Sequence, residues 1–499
     1  MGTTRREVLR LLGGAASYAS LSSVFGLPCF AEEKRRPNVV FILADDLGWS
    51  DTSLYGSKFY ETPSIDSLAK RGMMFTQAYA ANPLCSPTRA SIMTGLFPAR
   101  IGITAPQCHL SEERFEASVS ANAPPWEKAV PCLSATRLKQ EYFTLAEALN
   151  EGGYVTGHFG KWHLGHEPYD PLHQGFDVDV PHHPGPGPAG SYIAPWKFPA
   201  SLGFTGEPGE HIEDRMAKEA IEFVKKNADR PFFLNYWCFS VHSPWDAKPE
   251  LVEKYRAKAD PSNPQRNPLY AAMVQSLDEN VGRLLKTLDD LKLSDNTIIV
   301  FFSDNGGVTF EDQNGNIVTS NTPLRGGKAT IYEGGTREDC IVIWPEVIEP
   351  GSKSDEIIQS VDFYPTILDV LKLKPKPDQR FDGTSILPVL KQTSKLDREA
   401  IFCYFPHNTP RTGAVPSVYV RKGDWKLIRL FHQGDGGRHA YELYNLKDDL
   451  GEMRNLAAGM PEKVKELDHL LDCFLRETRA VLPKPNPKYD PTARRPEVR

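Results

Sequence analysis

Four short apolar segments, each followed at once by polar residues, place the strongest limit on how this chain of 499 residues folds. They cover residues 37–44, 154–159, 231–237 and 297–302, and helical patterns separate them. Continuous apolar runs of this length are typical of parallel strands that are buried on both faces. Their alternation with helices predicts an α/β fold: a doubly wound, mostly parallel sheet with helices on both faces.

The polar residues that follow these strands are the first candidates for a functional site. They are Asp45 and Asp46 after the first strand, Lys161 and His163 after the second, His242 after the third, and Asp304 and Asn305 after the fourth. Ligands of open α/β sheets bind beyond the carboxyl ends of the strands, so we expect these side chains to meet at one edge. Each has an ordinary alternative, such as a helix-capping aspartate, a solvent-facing lysine or a loop histidine.

Two of these strand ends carry oxygen ligands only. Asp45 and Asp46 offer two carboxylates, and Asp304 with Asn305 offers a third carboxylate and an amide oxygen. Hard oxygen donors suit Ca²⁺ or Mg²⁺ rather than zinc. A divalent cation at this edge is therefore expected.

Residues 84–95, Leu-Cys-Ser-Pro-Thr-Arg-Ala-Ser-Ile-Met-Thr-Gly, predict a helix with a reactive residue at its mouth. Ser86 is expected to cap the helix, Pro87 suits its first position, and Gly95 ends it. A group at Cys85 would then face backbone N–H donors and the positive end of the helix dipole, which together attract anions. A buried cysteine beside a helix cap is the ordinary alternative.

Several motifs together resemble the type I, formylglycine-dependent sulfatases, arylsulfatase-like enzymes of the alkaline-phosphatase-like superfamily. The motifs are Pro-Asn-x-x-x-Ile-x-Ala-Asp-Asp-Leu-Gly at 37–48, Cys-x-Pro-x-Arg within 85–95, and the stretches 160–165, 304–307, 325–335 and 442–446. The resemblance extends from residue 37 to about residue 475. It implies a sulfuric ester hydrolase that acts on sulfate monoesters, of carbohydrates and also of small aryl alcohols.

The resemblance implies a modified residue and a metal. A formylglycine-generating enzyme would convert Cys85 to formylglycine, an aldehyde, and one hydroxyl of its hydrate would attack sulfur. One Ca²⁺ ion, in preference to Mg²⁺, would be bound by Asp45, Asp46, residue 85, Asp304 and Asn305.

The resemblance also assigns the remaining catalytic residues. Lys161 and Lys328 would hold sulfate oxygens, and His242 would protonate the leaving oxygen. His163 would take a proton from the second hydroxyl of the hydrate, which expels sulfate and restores the aldehyde. Arg89 would orient the modified residue through charge-assisted hydrogen bonds.

Two other functions are open at this point. A phosphomonoester or phosphonate hydrolase uses the same scaffold and can share the formylglycine. A non-catalytic binder of sulfated glycans would result if Cys85 stays a thiol. The identity of the sulfated substrate, the sulfate position, endo or exo action and the oligomeric state are not determined. Loop residues that could contact a sugar are His182, His183, Trp196, Trp245 and Asp246.

The N-terminal residues predict export. Residues 1–31 combine Arg5 and Arg6 with an apolar, small-residue run, which is typical of a twin-arginine signal peptide with cleavage after Ala31. The protein is therefore expected in the periplasm or outside the cell, without stable membrane insertion. A formal net charge of −6 gives no reason to expect nucleic acid as a partner.

The rest of the chain is expected to form two domains. Residues 32–396 contain all the motif-bearing strands and would form the sulfatase catalytic domain. From about residue 397 alternating strands and a closing helix predict a smaller α+β domain, residues 397–499. Export would allow disulfides, and Cys108 with Cys132 is the first pair to test.

Overall fold

Strands and helices alternate along residues 35–495, the part of the chain that the computed structural model describes. The strands are β1 Asn38–Ala44, β2 Met73–Tyr79, β3 Ser118–Val119, β4 Ala129–Val130, β5 Cys132–Leu133, β6 Val155–Gly160, β7 Val178–Val180, β8 Phe232–Trp237, β9 Thr297–Ser303, β10 Arg337–Ile343, β11 Ser352–Ser354, β12 Ile358–Gln359, β13 Ile401–Phe405, β14 Ser417–Lys422, β15 Trp425–Leu430, β16 Ala440–Asn445 and β17 Lys484–Pro485. The α-helices are α1 Pro63–Arg71, α2 Cys85–Thr94, α3 Pro98–Ile101, α4 Leu145–Glu151, α5 Ile212–Lys226, α6 Pro249–Lys258, α7 Pro268–Asp290, α8 Glu333–Thr336, α9 Phe363–Leu371, α10 Leu387–Leu390 and α11 Pro461–Glu477.

The four predicted strands are neighbours in the central sheet. Its order is β11–β2–β10–β9–β1–β8–β6–β7, with β12 beside β2. Strand β1 pairs in parallel with β8 and β9, and β6 pairs in parallel with β8 and β7. Strand β10 runs antiparallel to both β9 and β2. The predicted mostly parallel sheet is confirmed, and the carboxyl ends of β9, β1, β8 and β6 lie along one edge.

Helices cover both faces of this sheet, and successive side chains of β1 are buried alternately on one face and the other. Val40 and Ile42 pack into a core with residues of α1, α5, α6 and α7. Val39, Phe41 and Leu43 pack into a second core with residues of α2, α4, α9 and α10. All five side chains are fully buried, which explains the uninterrupted apolar run in the sequence. The sheet is therefore doubly wound, as predicted.

The last part of the chain forms a smaller antiparallel sheet. Strands β13, β14, β15 and β16 pair in that order, and α11 packs on one face through Leu467 and Leu471. The other face packs against Tyr79, the last residue of β2, and against Ala329 and Ile331 of the segment before α8. Strand β17 returns to pair with β4. An α+β architecture is present here, and the boundary between residues 396 and 397 stays a prediction.

A buried ion-pair network joins the smaller sheet to the main one. Lys426 of β15 places Nζ 2.9 Å from a carboxylate oxygen of both Glu333 and Glu452, and all three side chains are fully buried. Tyr79 donates a hydrogen bond of 2.6 Å to Glu333. Burial raises the pKa of Glu452 to about 7, against the attraction of Lys426. Glu333 also has Arg337 at 3.6 Å and Arg421 at 3.9 Å, so Lys426 is above all the counter-charge of Glu452.

The described cysteines are free thiols. They are Cys85, Cys108, Cys132, Cys238, Cys340, Cys403 and Cys473. The disulfide suggested for Cys108 and Cys132 is therefore wrong. Cys132 Sγ instead lies 3.7 Å from the Tyr404 hydroxyl oxygen and 3.0 Å from the carbonyl oxygen of Val481.

No helix among residues 35–495 is both long and apolar enough to cross a membrane. Helix α7 has 23 residues, but Asp278, Glu279 and Arg283 interrupt its apolar positions. The expected signal peptide, residues 1–31, lies outside the described residues.

Replacing Lys426 with methionine tests the buried network. Lys426→Met leaves Glu452 buried without an ion-pair partner among the described residues, and Glu333 with only the more distant Arg337 and Arg421. The free energy of unfolding should therefore fall by about 3–5 kcal/mol in urea denaturation. Lys422→Met is the matched control, because Lys422 pairs with Glu399 at the surface and an exposed pair contributes at most about 1 kcal/mol. Equal losses in the two variants would contradict the network's role.

Candidate active site

The predicted polar clusters come together at the carboxyl ends of β9, β1, β8 and β6. Lys161 Nζ lies 2.5 Å from Asp45 Oδ2. Asp46 Oδ2 lies 2.6 Å from Lys328 Nζ and 3.8 Å from His242 Nε2. The expectation that strand topology gathers these side chains at one edge is confirmed, and Lys328 joins them from the loop between β9 and α8.

Three cations pair with three buried carboxylates in this cluster; Lys161 and Arg89 are fully buried, and Lys328 has 13% of its side chain exposed. Arg89 supplies the third pair, with Nε 2.9 Å and Nη2 2.8 Å from Asp304 Oδ2. Its Nη1 donates a 2.5 Å hydrogen bond to the carbonyl oxygen of Lys161. Any orienting effect of Arg89 on Cys85 therefore acts through Asp304 and through helix α2, which carries both residues.

The pKa values of Asp46 and Asp304 are shifted in opposite directions. Burial alone would raise the pKa of Asp46, but Lys328, His242 and Lys161 outweigh it and hold that pKa well below its usual range. Burial and the neighbouring Asp45 raise the pKa of Asp304 to about 6, against the attraction of Arg89. Of these two carboxylates, Asp46 therefore keeps its negative charge more firmly.

Cys85 lies at the first position of α2 and is almost completely buried, with 1% of its surface exposed. Its Sγ lies 3.9 Å from Asp46 Oδ1. Burial raises the pKa of the Cys85 thiol to about 12, although Lys161 and Lys328 act in the opposite direction. An unmodified Cys85 is therefore a protonated thiol at neutral pH, and the thiolate is the nucleophilic form of cysteine.

The start of α2 differs from the expectation. Leu84, in an extended conformation, is the N-cap residue, and no side chain caps the helix. Ser86 was expected in that position, but its hydroxyl donates a 2.7 Å hydrogen bond to the carbonyl oxygen of His163. The helix begins two residues earlier than expected, at Cys85 instead of Pro87, and the Ser86 side chain joins α2 to the loop after β6. Gly95 ends the helix in the left-handed region, as predicted, with φ of 68°.

The donor set fits a hard divalent cation. Asp45 Oδ1 and Asn305 Oδ1 are buried and have no hydrogen-bond partner among the described residues. Asp45, Asp46, Cys85 and His242 each place a ligand atom within 4.8 Å of the others. Unpartnered buried oxygens are costly unless something binds them, and oxygen donors suit Ca²⁺.

Two more residues of this donor set, Asp304 and Asn305, form hydrogen bonds with Asp46. Asp304 Oδ1 accepts a 3.2 Å hydrogen bond from the backbone N–H of Asp46. Asn305 Nδ2 donates a 2.8 Å hydrogen bond to Asp46 Oδ1. The structure thus places the five residues expected to bind the metal in one cluster, and it adds His242, which was expected only as a proton donor.

His163 lies in a histidine pair that sequence reasoning missed. Its Nε2 lies 2.9 Å from Nδ1 of His109, and its Nδ1 is buried without a hydrogen-bond partner among the described residues. Burial, together with Lys161 and His109, lowers the pKa of His163 well below its usual value. His109 lies in an irregular stretch after α3, where neither periodicity nor a motif marks it.

His242 is held by its backbone neighbour. Its Nδ1 lies 2.6 Å from the carbonyl oxygen of Ser243 and therefore carries the proton, which leaves Nε2 to face Asp46. Burial lowers the pKa of His242 to about 3, and the nearby Lys328 and Lys161 add to this effect. The ring is neutral in this arrangement.

A cavity of about 640 Å³ opens beside His242. Two of the five loop residues proposed to contact a sugar, His183 and Trp245, line it. The others are engaged elsewhere: His182 pairs with Asp179 at 2.7 Å, the Trp196 ring stacks on Phe204, and Asp246 accepts a hydrogen bond from Ser191.

Comparisons with known proteins agree with this geometry. A sequence model of the sulfatase family matches residues 37–373, and the model described as N-sulphoglucosamine sulphohydrolase, C-terminal, matches residues 327–480. Human N-acetylgalactosamine-6-sulfatase is 34% identical over 390 residues, which cover 74% of this chain and 68% of that protein. Human arylsulfatase A is 31% identical over 482 residues, which cover 87% of each chain.

A solved structure has the same fold. The crystal structure of Ps i-CgsB in complex with k-i-k-neocarrahexaose has a TM-score of 0.71 and 26% identity, covering 88% of this chain and 93% of that chain. The family match includes every residue of the cluster described above, from Asp45 to Lys328. The chain therefore belongs to the sulfatase family of sulfuric ester hydrolases, within the alkaline-phosphatase-like superfamily.

Proposed function

We propose that this protein is an exported enzyme that hydrolyses sulfate monoesters of carbohydrates, and also small aryl sulfates, through a formylglycine made from Cys85. The observation that carries the proposal is the position of Cys85 at the start of α2, beside Asp46 and within reach of the charges of Lys161 and Lys328. The names of the relatives support carbohydrate as the substrate class, since one is an N-acetylgalactosamine-6-sulfatase and a structural neighbour was solved with a neocarrahexaose.

The burial of Cys85 favours a modified residue over a working thiol. A thiol whose pKa is raised to about 12 supplies almost no thiolate at neutral pH. The hydrate of formylglycine would supply one hydroxyl for attack on sulfur and a second whose deprotonation expels sulfate. Maturation would require a formylglycine-generating enzyme as partner.

The charges of the site match a divalent cation together with an anionic substrate. Asp45, Asp46 and Asp304 are balanced one to one by Lys161, Lys328 and Arg89. Asp45, Asp46, Asp304 and Asn305 would hold one Ca²⁺, in preference to Mg²⁺, with residue 85. The ion would supply positive charge beside the sulfate oxygens. The added charge of +2 equals that needed to neutralise the sulfate product.

The two lysines are suited to bind the non-bridging oxygens of the ester. Each ammonium group now contacts a single carboxylate oxygen, Lys161 that of Asp45 and Lys328 that of Asp46. An ammonium group has three donors, so both retain the capacity to bind a substrate oxygen. Being fixed before the substrate arrives, they stabilise the charge that develops in the transition state without reorganisation.

The two histidines are suited to move protons. His242 uses Nδ1 for the Ser243 carbonyl, so only Nε2 can protonate the leaving oxygen, and an anionic ester beside the ring favours the protonated form. His163 uses Nε2 for His109, which leaves Nδ1 as the atom that would accept a proton from the hydrate. Arg89 would keep Asp304 and the Lys161 loop in place and act as a positioning residue.

The modification of Cys85 is tested on native protein. The peptide that contains Cys85 should be about 18 Da lighter than the unmodified peptide, the difference between a thiol and an aldehyde side chain, and it should react with a hydrazide probe. Cys85→Ala should reduce sulfate release by on the order of 10⁴ or more with an unchanged fold. An unmodified thiol in native protein, or sulfate release near wild type in Cys85→Ala, contradicts the mechanism and favours a sulfated-glycan binder.

The metal is tested by chelation. Dialysis against EDTA should abolish sulfate release and lower the melting temperature, and Ca²⁺ should restore both more fully than Mg²⁺, because ligands that bind only the native state stabilise it. Asp45→Asn should lose the Ca²⁺-dependent rise in melting temperature. Asp435→Asn, at an exposed acid far along the chain, should keep it. A chelated enzyme with full activity would exclude a required metal.

The role of His242 is tested with two leaving groups. His242→Ala should lower turnover of a sugar sulfate by on the order of 10² or more, and turnover of 4-nitrophenyl sulfate less, because a nitrophenolate needs little protonation as it leaves. His469→Ala, on the exposed side of α11, is the control. Equal losses on both substrates would indicate a structural role.

The alternative function is tested with the same wild-type protein. Turnover of 4-nitrophenyl phosphate above that of 4-nitrophenyl sulfate would favour a phosphomonoester hydrolase.

A further inference from the structure

The cavity beside His242 continues away from the catalytic cluster to an arginine that has no function in the proposed chemistry. Its walls come from four separate parts of the chain and include His183, Trp245, Glu311, Gln313 and Arg411. His242 lies in the same wall. A substrate held by its sulfate at His242 therefore extends its remaining atoms along this surface.

Arg411 presents a free cation to this cavity. Its side chain is exposed, and no carboxylate of the described residues lies within ion-pair distance of its guanidinium group. The guanidinium carbon lies 4.5 Å from the centre of the Phe310 ring. Stacking on an aromatic ring fixes the plane of the guanidinium while leaving its N–H donors available for a bidentate anion.

The loop that carries Arg411 is tied to the loop of Lys328. Thr412 Oγ1 donates a 3.2 Å hydrogen bond to the carbonyl oxygen of Ala329, the residue after Lys328. The loop is closed by a 2.9 Å hydrogen bond from the N–H of Thr409 to the carbonyl oxygen of Ala414. The position of Arg411 relative to the proposed sulfate-binding lysine is therefore set by the fold.

Beside Arg411 lie two aromatic rings that suit a sugar ring. The rings of Trp245 and Phe310 are 6.4 Å apart at 68°, and Gln313 Nε2 donates a 2.8 Å hydrogen bond to the carbonyl oxygen of Trp245. Glu311 is exposed and forms no ion pair with any described residue, so its carboxylate is free to accept hydrogen bonds from hydroxyl or amide groups. Aromatic faces with a few polar groups are typical of ligand pockets.

From these contacts we propose that Arg411 forms a second anion subsite, so that the preferred substrate is a sulfated saccharide bearing another acidic group, a carboxylate or a second sulfate ester. The scissile sulfate lies at the Lys161–Lys328 end, the sugar lies against Trp245 and Phe310, and the second acidic group binds Arg411. This inference rests on the proposed sulfatase function and deepens it.

The test compares matched saccharides in wild type and Arg411→Ala. Three substrates share one scissile sulfate: the first has no other acid, the second adds a carboxylate, and the third adds a second sulfate. The ratio of kcat/KM for a doubly acidic substrate to that of the monosulfated one should fall about 10- to 100-fold in Arg411→Ala, since charge-assisted hydrogen bonds of that strength are lost. The loss of kcat/KM on the doubly acidic substrate should appear mainly as a higher KM.

Two further variants sharpen this experiment. Arg411→Lys should recover only part of the ratio, because an ammonium group cannot form the bidentate, stacked contact. Arg438→Ala removes an exposed arginine outside the cavity and should leave the ratio unchanged. Whichever added acid gives the larger Arg411-dependent ratio, carboxylate or sulfate, is the one that the subsite recognises.

The outcomes separate this inference from the function on which it rests. If wild type releases sulfate from all three substrates and the ratios do not change in Arg411→Ala, the subsite is wrong and the sulfatase function stands. If wild type with a confirmed aldehyde at residue 85 releases sulfate neither from the saccharides nor from 4-nitrophenyl sulfate, the proposed function itself is wrong.

Discussion

The one-to-one pairing of three buried carboxylates with three cations, two of them fully buried, is the interaction on which the site depends. Asp45, Asp46 and Asp304 lie at the ends of two adjacent strands, where like charges would repel one another without Lys161, Lys328 and Arg89. Removing charges from water is costly, so each partner is needed to keep the others buried. The same pairing keeps both signs of charge fixed in position before a metal or a substrate binds.

One of these cations depends on the smaller sheet. The loop of Lys328 is bound by Arg325, which donates hydrogen bonds to the carbonyl oxygen of Glu452 and to the hydroxyl of Tyr444. Across the loop, the N–H of Ala329 donates a 2.9 Å hydrogen bond to the carbonyl oxygen of Pro83, just before α2. The C-terminal strands thus support the charged cluster without contributing a residue to it.

Sequence reasoning succeeded where a local pattern and the sheet topology agree. The run before Asp45 is uninterrupted because β1 is buried on both faces, and parallel pairing then brings Asp45 and Asp304 to one edge. The antiparallel placement of β10 was not foreseen, because its first residues, Arg337, Glu338 and Asp339, are charged although buried. His109 and Arg411 were also missed, since each lies in an irregular loop and reaches its neighbours only through tertiary structure.

The burial of Cys85 limits the stage at which the proposed modification of this residue can occur. Cys85 is the first residue of α2 and has 1% of its surface exposed. In the folded chain it is therefore not accessible to an enzyme of ordinary size. The proposed conversion of Cys85 would therefore have to precede the packing of α2 or use its local unfolding. Folding and the proposed conversion would then compete for the same residue, and the faster of the two would set the yield of active protein.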